Sequence, residues 1–124
     1  MSQLCFRENK RKGYWWYKDE DYFSPFYDAP TVIFVLKELN KSNLIDFDCS
    51  LATENIVLAA NALGLGSCIL ADAMTLFDDE FKEDYYKKLR IPLGYAPHIA
   101  ISIGYSNEEI GEKKIKRDIV DVIK

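Results

Sequence analysis

The stretch from Asp46 to Leu70, DFDCSLATENIVLAANALGLGSCIL, most constrains what this chain can fold into. Between Phe47 and Leu65, apolar residues occur on nearly every side of the helical period, which predicts a helix that is buried almost all round. The polar stripe comprises Thr53, Glu54, Asn55 and Asn61. At roughly 1.5 Å per residue the helix would be about 27 Å long. In a chain of 124 residues, we expect a second subunit, as well as the chain's own sheet, to cover it.

The two ends of this helix carry ordinary boundary signals. The carboxylate of Asp46 or Asp48 is predicted to cap the first free N–H groups, and Gly64 is predicted to end the helix in a left-handed conformation. The next residues, Ser67–Leu70, predict a short buried strand. The Gly-Leu-Gly-Ser run at 64–67 follows a helix and precedes a strand, which is the reverse of a dinucleotide-binding glycine loop.

The residues of this stretch also carry a family resemblance. The run from Phe47 to Ala60, FDCSLATENIVLAA, followed by ALGLGSC at 62–68, resembles the central segment of the FMN-dependent nitroreductase family. Flanking segments agree in order: Asp-Ala-Pro at 28–30, Ile-Pro at 91–92 and Gly-Tyr at 104–105. The resemblance covers about Phe26 to Lys124, so the chain resembles the C-terminal two-thirds of the family's domain, with the N-terminal flavin-phosphate motif missing.

The resemblance implies a function and a cofactor. It implies a homodimer that binds FMN and reduces nitroaromatic or quinone-like acceptors with NAD(P)H. Two alternatives remain. One is a shortened, non-catalytic dimer of the same fold that binds FMN weakly or not at all. The other is an unrelated small interaction module that uses its aromatic segment as a partner surface.

Site residues follow from the same resemblance. It assigns the cations for the flavin phosphate to Lys114 and Lys116, with Arg117 as an alternative if the register slips by one. It assigns the backbone N–H donors at the flavin ring to Ala71 and Asp72, or one residue earlier to Leu70. The alternative for the basic run at 113–117 is a solubilising tail.

An aromatic segment precedes the first strand. Eight aromatic residues occur between Tyr14 and Tyr27, a density too great for all of them to be exposed. They pack either against the core or a second subunit, or as a wall for a flat ligand, since ring stacking adds about 0.5 to 1.5 kcal/mol beyond burial. The preferred wall residues are Trp15, Trp16 and Phe23.

The remaining patterns complete a single domain, 1–124. Strands are predicted at Thr31–Leu36 and His98–Ile103, and a tail strand at Ile119–Ile123, possibly exchanged between subunits. A helix is predicted at Met74–Leu89, with Asp78 able to cap it. This order favours an α+β fold, a sandwich of helices on a mixed, mainly antiparallel sheet, with a small doubly wound α/β domain as the runner-up.

Composition excludes several function classes. A net charge of −4 and a pI near 5.0 argue against a nucleic-acid binder. No membrane-spanning run or secretory leader is visible, which predicts a cytoplasmic protein.

Metal and thiol chemistry find little support in the sequence. The cysteines at 5, 49 and 68 and the single histidine, His98, have no metal-ligand spacing, so no metal site is predicted. Cys49 and Cys68 are expected to be small buried apolar residues, and His98 to be a strand-edge residue satisfied by a neighbour. No catalytic constellation of side chains stands out, which is compatible with a flavin enzyme because the cofactor carries the redox chemistry.

Overall fold

A computed structural model describes residues 26–42, 44–78 and 82–107. The predictions for Trp15, Trp16 and Phe23, for the basic run at 113–117 and for the tail strand Ile119–Ile123 lie outside these residues.

The described residues form a three-stranded antiparallel sheet. Its strands are β1 (Thr31–Glu38), β2 (Gly66–Leu70) and β3 (Tyr95–Gly104), in the order β1-β3-β2. Both pairings are antiparallel, which confirms the α+β class, and no described pair has the parallel arrangement of the doubly wound runner-up. The first strand is longer than predicted because Lys37 and Glu38 also pair with β3, opposite Ala96 and Tyr95.

A bulge interrupts the pairing of β1 with β3. Val35 is opposite Ile99 and Leu36 is opposite Pro97, so His98 is the extra residue. Side chains otherwise alternate between the two faces of the sheet.

One face of the sheet carries the main apolar cluster. A 3-10 helix, η1 (Asp72–Phe77), and the helix α2 (Lys82–Lys88) cover this face. Within the cluster the ring of Phe77 meets the rings of Phe34, Tyr85 and Tyr86 edge-on, with centroids 5.7, 6.2 and 6.0 Å away. The buried members of the cluster are Phe26, Leu70, Ala73, Leu76, Phe77, Tyr85 and Ala100.

The other face of the sheet carries the central helix, α1 (Ile45–Ala62). Its buried residues are Cys49, Thr53 and Ala60, and the Thr53 hydroxyl donates a 2.9 Å hydrogen bond to the Cys49 carbonyl. The prediction of burial almost all round is wrong for the protomer, because the sheet covers only one side. The large residues Leu44, Phe47, Leu51 and Leu58 are 56 to 67% exposed.

The ends of α1 agree with the predictions only in part. Neither predicted aspartate caps the helix: no side chain bonds its first N–H groups, and the Asp46 carboxylate instead accepts a hydrogen bond from Lys37. At the other end Gly64 has φ +72°, as predicted. Its N–H donates to the Asn61 carbonyl at 3.0 Å, and the next N–H, of Leu65, donates to Ala60 at 2.9 Å, which satisfies two terminal carbonyls of the helix.

The single helix predicted at Met74–Leu89 is wrong. The described residues of this range instead belong to η1 and to α2, and Asp78 follows η1. The predicted spacing failed because buried Ala73 and Leu76, three residues apart, suit the tighter turn of a 3-10 helix, and the Thr75 hydroxyl donates to the Asp72 carbonyl at 2.7 Å. Lys87 and Lys88 lie in the last turn of α2, where positive charge complements the helix dipole.

Candidate functional site

The end of β2 brings together the three residues predicted to face the flavin ring. Leu70 is buried and lies opposite Ala100 on the central strand, whereas Ala71 is exposed and Asp72, half-buried, begins η1. The Ala71 carbonyl accepts a hydrogen bond from the N–H of Met74 at 3.1 Å. The N–H groups of Ala71 and Asp72 come too early in the chain to find an acceptor within η1. Any acceptors of these two N–H groups therefore lie outside η1.

A tight turn lies beside this segment. Phe26 belongs to the same buried cluster as Leu70, and its carbonyl accepts a 3.0 Å hydrogen bond from the N–H of Ala29. Between them Tyr27 and Asp28 have φ of +54° and +51°, a left-handed conformation that is uncommon for a bulky residue. The turn is held at its far end by Pro30, whose Cδ lies 2.9 Å from where a Cβ on Gly104 would be, so only glycine fits there.

The phenol of Tyr27 lies in an environment that disfavours its charged form. Partial burial raises its pKa, and the charges of Cys68 and Asp72 raise it further. Tyr27 therefore stays neutral at physiological pH while 60% of its surface is exposed. Cys68 is exposed, so the prediction that it is buried is wrong; it lies on an edge strand, where the outer side chains lack cover.

A second polar group joins α1 to the sheet. The Asp46 carboxylate lies 2.9 Å from Nζ of Lys37 on β1 and 3.4 Å from Nδ1 of His98 on β3. The hydrogen bond from Lys37 lowers the pKa of Asp46, and the charges of Lys37 and His98 lower it further. Here β3 pairs with β1 alone among the described strands, so His98 lies at an edge and has the predicted polar neighbour.

The thiol beside this group is not a nucleophile. Cys49 is buried as predicted, and its Sγ donates to the Leu36 carbonyl at 3.7 Å. Burial raises the pKa of Cys49, and the charges of Asp46 and Asp48 raise it further, so the thiol stays protonated. Among residues 26–42, 44–78 and 82–107, no cluster of histidine, cysteine and carboxylate side chains has the geometry of a metal site.

Sequence reasoning missed two features of this region. It grouped Tyr27 with the aromatic segment, but nothing in the sequence indicated the left-handed backbone that Tyr27 adopts. Likewise the group of Lys37, Asp46 and His98 joins residues far apart in the chain, and only the register of β1 with β3 brings them together.

No helix in the described part of the chain combines the length and hydropathy needed to cross a lipid bilayer.

Known proteins identify the family. A model of the nitroreductase family matches residues 4–105. The match starts before the segment in which the sequence showed the resemblance, and it ends before the basic run at 113–117. A solved nitroreductase with bound FMN from Bacteroides fragilis has a TM-score of 0.83 at 23% identity, covering 99% of this chain and 68% of that one.

Two further solved structures are similar. A nitroreductase with bound FMN from Desulfitobacterium hafniense gives a TM-score of 0.73 at 24% identity, covering 82% of this chain and 54% of that one. An FMN-dependent nitroreductase from Clostridium difficile has a TM-score of 0.65 at 26% identity, covering 96% of this chain and 67% of that one. No protein with a curated description matches the sequence. On the strength of the family match over residues 4–105, this chain belongs to the nitroreductase family.

Proposed function

We propose that this protein is an FMN-dependent oxidoreductase that reduces nitroaromatic or quinone-like acceptors with NAD(P)H. The observation that carries the proposal is the family match over residues 4–105, joined to the segment Leu70–Asp72 at the end of β2, in which Ala71 is exposed. The fold similarity to solved nitroreductases with bound FMN supports it. The cytoplasm is the compartment we propose for this activity.

We propose that the described residues bind the ring of FMN. The polar edge of the ring needs hydrogen-bond donors, and we propose the backbone N–H groups of Ala71 and Asp72 for this role, with the small Ala71 side chain leaving room for close approach. Leu70, anchored in the core, holds these donors in place. When bound, FMN supplies the chemistry of hydride transfer. The chain's contribution is to bind and orient the ring and to limit the access of water.

The phosphate would be held elsewhere in the chain. We propose Lys114 and Lys116 for this role, with Arg117 as the alternative, because the family resemblance assigns them to it and a phosphate requires cationic hydrogen-bond donors. These residues lie outside the described part of the structure, so the assignment depends on the family resemblance.

The exposed face of α1 supports a homodimer. Leu44, just before α1, and Leu51 and Leu58 within it recur every seven residues, and Phe47 lies between the first two, which gives an apolar stripe along the helix that Glu54 and Asn55 interrupt. Such a stripe is unfavourable in water and is expected at an interface. We propose that the same stripe of a second copy covers it, in the self-complementary manner of a two-fold dimer.

The proposed function is tested by titrating the purified protein with FMN and following the quenching of flavin fluorescence. We expect saturable binding, and we expect Lys114→Ala combined with Lys116→Ala to weaken it at least tenfold, about 1.4 kcal/mol. The matched control is Lys41→Ala combined with Lys87→Ala, which removes the same charge from exposed positions and should leave binding unchanged.

The outcomes separate the alternatives. Unchanged FMN affinity when Lys114→Ala is combined with Lys116→Ala would refute the assignment of these lysines to the flavin phosphate but not FMN binding itself. A stable dimer that binds no FMN would instead support the shortened, non-catalytic form of the fold.

A further inference from the structure

The segment proposed to bind the flavin ring carries a negative charge of its own. Asp72 supplies one of the two backbone N–H groups proposed for the ring, and its side chain ends in a carboxylate. The residue is half-buried at the start of η1, and its carbonyl accepts a 2.7 Å hydrogen bond from the Thr75 hydroxyl. Two residues earlier, Leu70 pairs with Ala100 and is buried in the core. The backbone that bears the carboxylate is therefore held on both sides.

Covalent geometry limits how far this carboxylate can lie from the ring. Four bonds join the backbone nitrogen of Asp72 to its carboxylate oxygens, so these atoms are at most about 5 Å apart. A hydrogen bond adds about 3 Å from the nitrogen to the ring atom that accepts it. In every rotamer the carboxylate then lies within about 8 Å of the bonded edge of the ring, and about 10 Å from charge spread over the ring.

Reduction changes the charge that faces this carboxylate. A hydride brings two electrons and one proton, so the ring that receives it becomes one unit more negative. The carboxylate repels this added charge but leaves the neutral oxidised ring almost unaffected. By Coulomb's law, repulsion across about 10 Å weakens binding of the reduced form about 2- to 16-fold, for effective dielectric constants between about 80 and about 20.

From this geometry we propose that Asp72 lowers the reduction potential of the bound flavin and so favours electron transfer to acceptors that are themselves difficult to reduce. This inference rests on the proposed function, in which the N–H group of Asp72 donates to the ring. Any residue except proline would supply that N–H group, whereas the carboxylate belongs to aspartate. The charge makes reduction of the flavin by NAD(P)H less favourable and its reoxidation by the acceptor more favourable by the same factor.

The test measures the reduction potential of FMN bound to the full chain, in an anaerobic titration against a reference dye. The affinity for oxidised FMN is measured separately by fluorescence quenching. Asp72→Asn and Asp72→Ala both remove the charge and keep the backbone N–H group, and only the asparagine adds a side-chain donor. The matched control is Asp78→Asn, the same change at an exposed residue that follows the other end of η1.

We expect both substitutions of Asp72 to raise the potential by about 9 to 36 mV, which is the two-electron equivalent of about 2- to 16-fold. Asp78→Asn should raise it by less than half as much, and every variant should bind oxidised FMN within about twofold of the unmodified protein. The difference between Asp72→Asn and the unmodified protein should shrink from about 0.01 M to about 1 M salt, since the Debye length falls from about 30 to about 3 Å.

Each outcome bears on a different statement. An unchanged or lower potential in both Asp72 variants overturns this inference, as does an equal rise in Asp78→Asn. A rise in Asp72→Asn alone would assign the effect to the new amide and also overturns it. If Asp72→Asn does not fold, Asp72→Ala carries the test by itself. Failure of the unmodified protein to bind FMN overturns the proposed function and this inference with it, whereas bound FMN with an unchanged potential overturns this inference alone.

Discussion

Replacing Leu51 by serine should dissociate the proposed dimer without unfolding the protomer. Leu51 lies in the middle of the exposed stripe on α1 and is 65% exposed. Full burial of a leucine side chain contributes about 1.5 to 3 kcal/mol, so covering the remaining two thirds contributes about 1 to 2 kcal/mol. In a two-fold dimer each substitution occurs twice. The expected loss is therefore about 2 to 4 kcal/mol, a rise of roughly 30- to 1,000-fold in the dimer dissociation constant.

Sedimentation equilibrium over a range of protein concentrations measures this change directly. The matched control is Leu93→Ser, the same substitution at a residue outside α1 that is 102% exposed. The dimer dissociation constant of the Leu93→Ser variant should equal that of the unmodified protein. The far-ultraviolet circular dichroism of both variants should be unchanged. A shift of less than threefold for Leu51→Ser, or equal shifts for the two variants, would refute the assignment of this face to the interface.

Three further predictions concern the protomer. Ile101→Ala should lower the free energy of unfolding by about 2 to 5 kcal/mol because Ile101 is 0% exposed. Ile69, opposite it on the edge strand, is 45% exposed, so Ile69→Ala should lower that free energy by less than half as much. Equal losses for the two variants in urea unfolding would contradict this. Asp46→Asn should destabilise the protein at neutral pH. The pKa of Asp46 is lowered in the folded state, so its contribution is present above the ordinary value of 3.8 and is lost as the pH falls through the folded pKa. Urea unfolding from pH 7 to 2 should therefore show the two proteins converging in acid, and a difference independent of pH would contradict it. Gly64→Ala should cost about 1 to 2 kcal/mol through backbone strain alone, since its φ is +72° and nothing lies within 4 Å of an added Cβ; no loss in thermal unfolding would contradict this.

The elements that the sequence predicted well are those whose signal is local. Gly64 was predicted to be left-handed because few other residues adopt that conformation readily, and it is. The strands at Thr31–Leu36 and His98–Ile103 were found because continuous β-branched runs suit strands between two layers. Three of the four strand ends differ from the prediction by one to three residues. At the end of β1 the reason is that polar Lys37 and Glu38 gave no strand signal.

The errors have a common physical origin, which is that burial depends on partners. The pattern of α1 shows that its faces are apolar but not which face the sheet covers. Cys68 is apolar enough for a core, yet it lies on an edge strand and is exposed. The segment from Met74 to Leu89 has apolar spacing compatible with two kinds of helix, and the contacts of Leu76 and Phe77 with the core decided for the 3-10 form at its start.

The candidate site was only partly accessible to sequence reasoning because its chemistry is in the backbone. The N–H groups of Ala71 and Asp72 carry no signature in side-chain composition, so only the family resemblance pointed to them. Tyr27 was visible as one aromatic residue among eight between Tyr14 and Tyr27. What distinguishes it is its positive φ, which is a property of the fold.

The distribution of side-chain size on α1 links the fold to the proposed assembly. The residues buried against the sheet, Cys49, Thr53 and Ala60, are small, and the exposed ones, Phe47 and Leu58 among them, are large. A surface helix of a monomer ordinarily directs its larger apolar residues inward. These small residues let α1 approach the sheet closely, and Ile56 and Val57 are half-buried, so the large exposed residues lie outside this contact. Most of the apolar surface of α1 is buried only if a second copy covers the outer face, so folding and dimerisation should be linked, with a midpoint of thermal unfolding that rises with protein concentration.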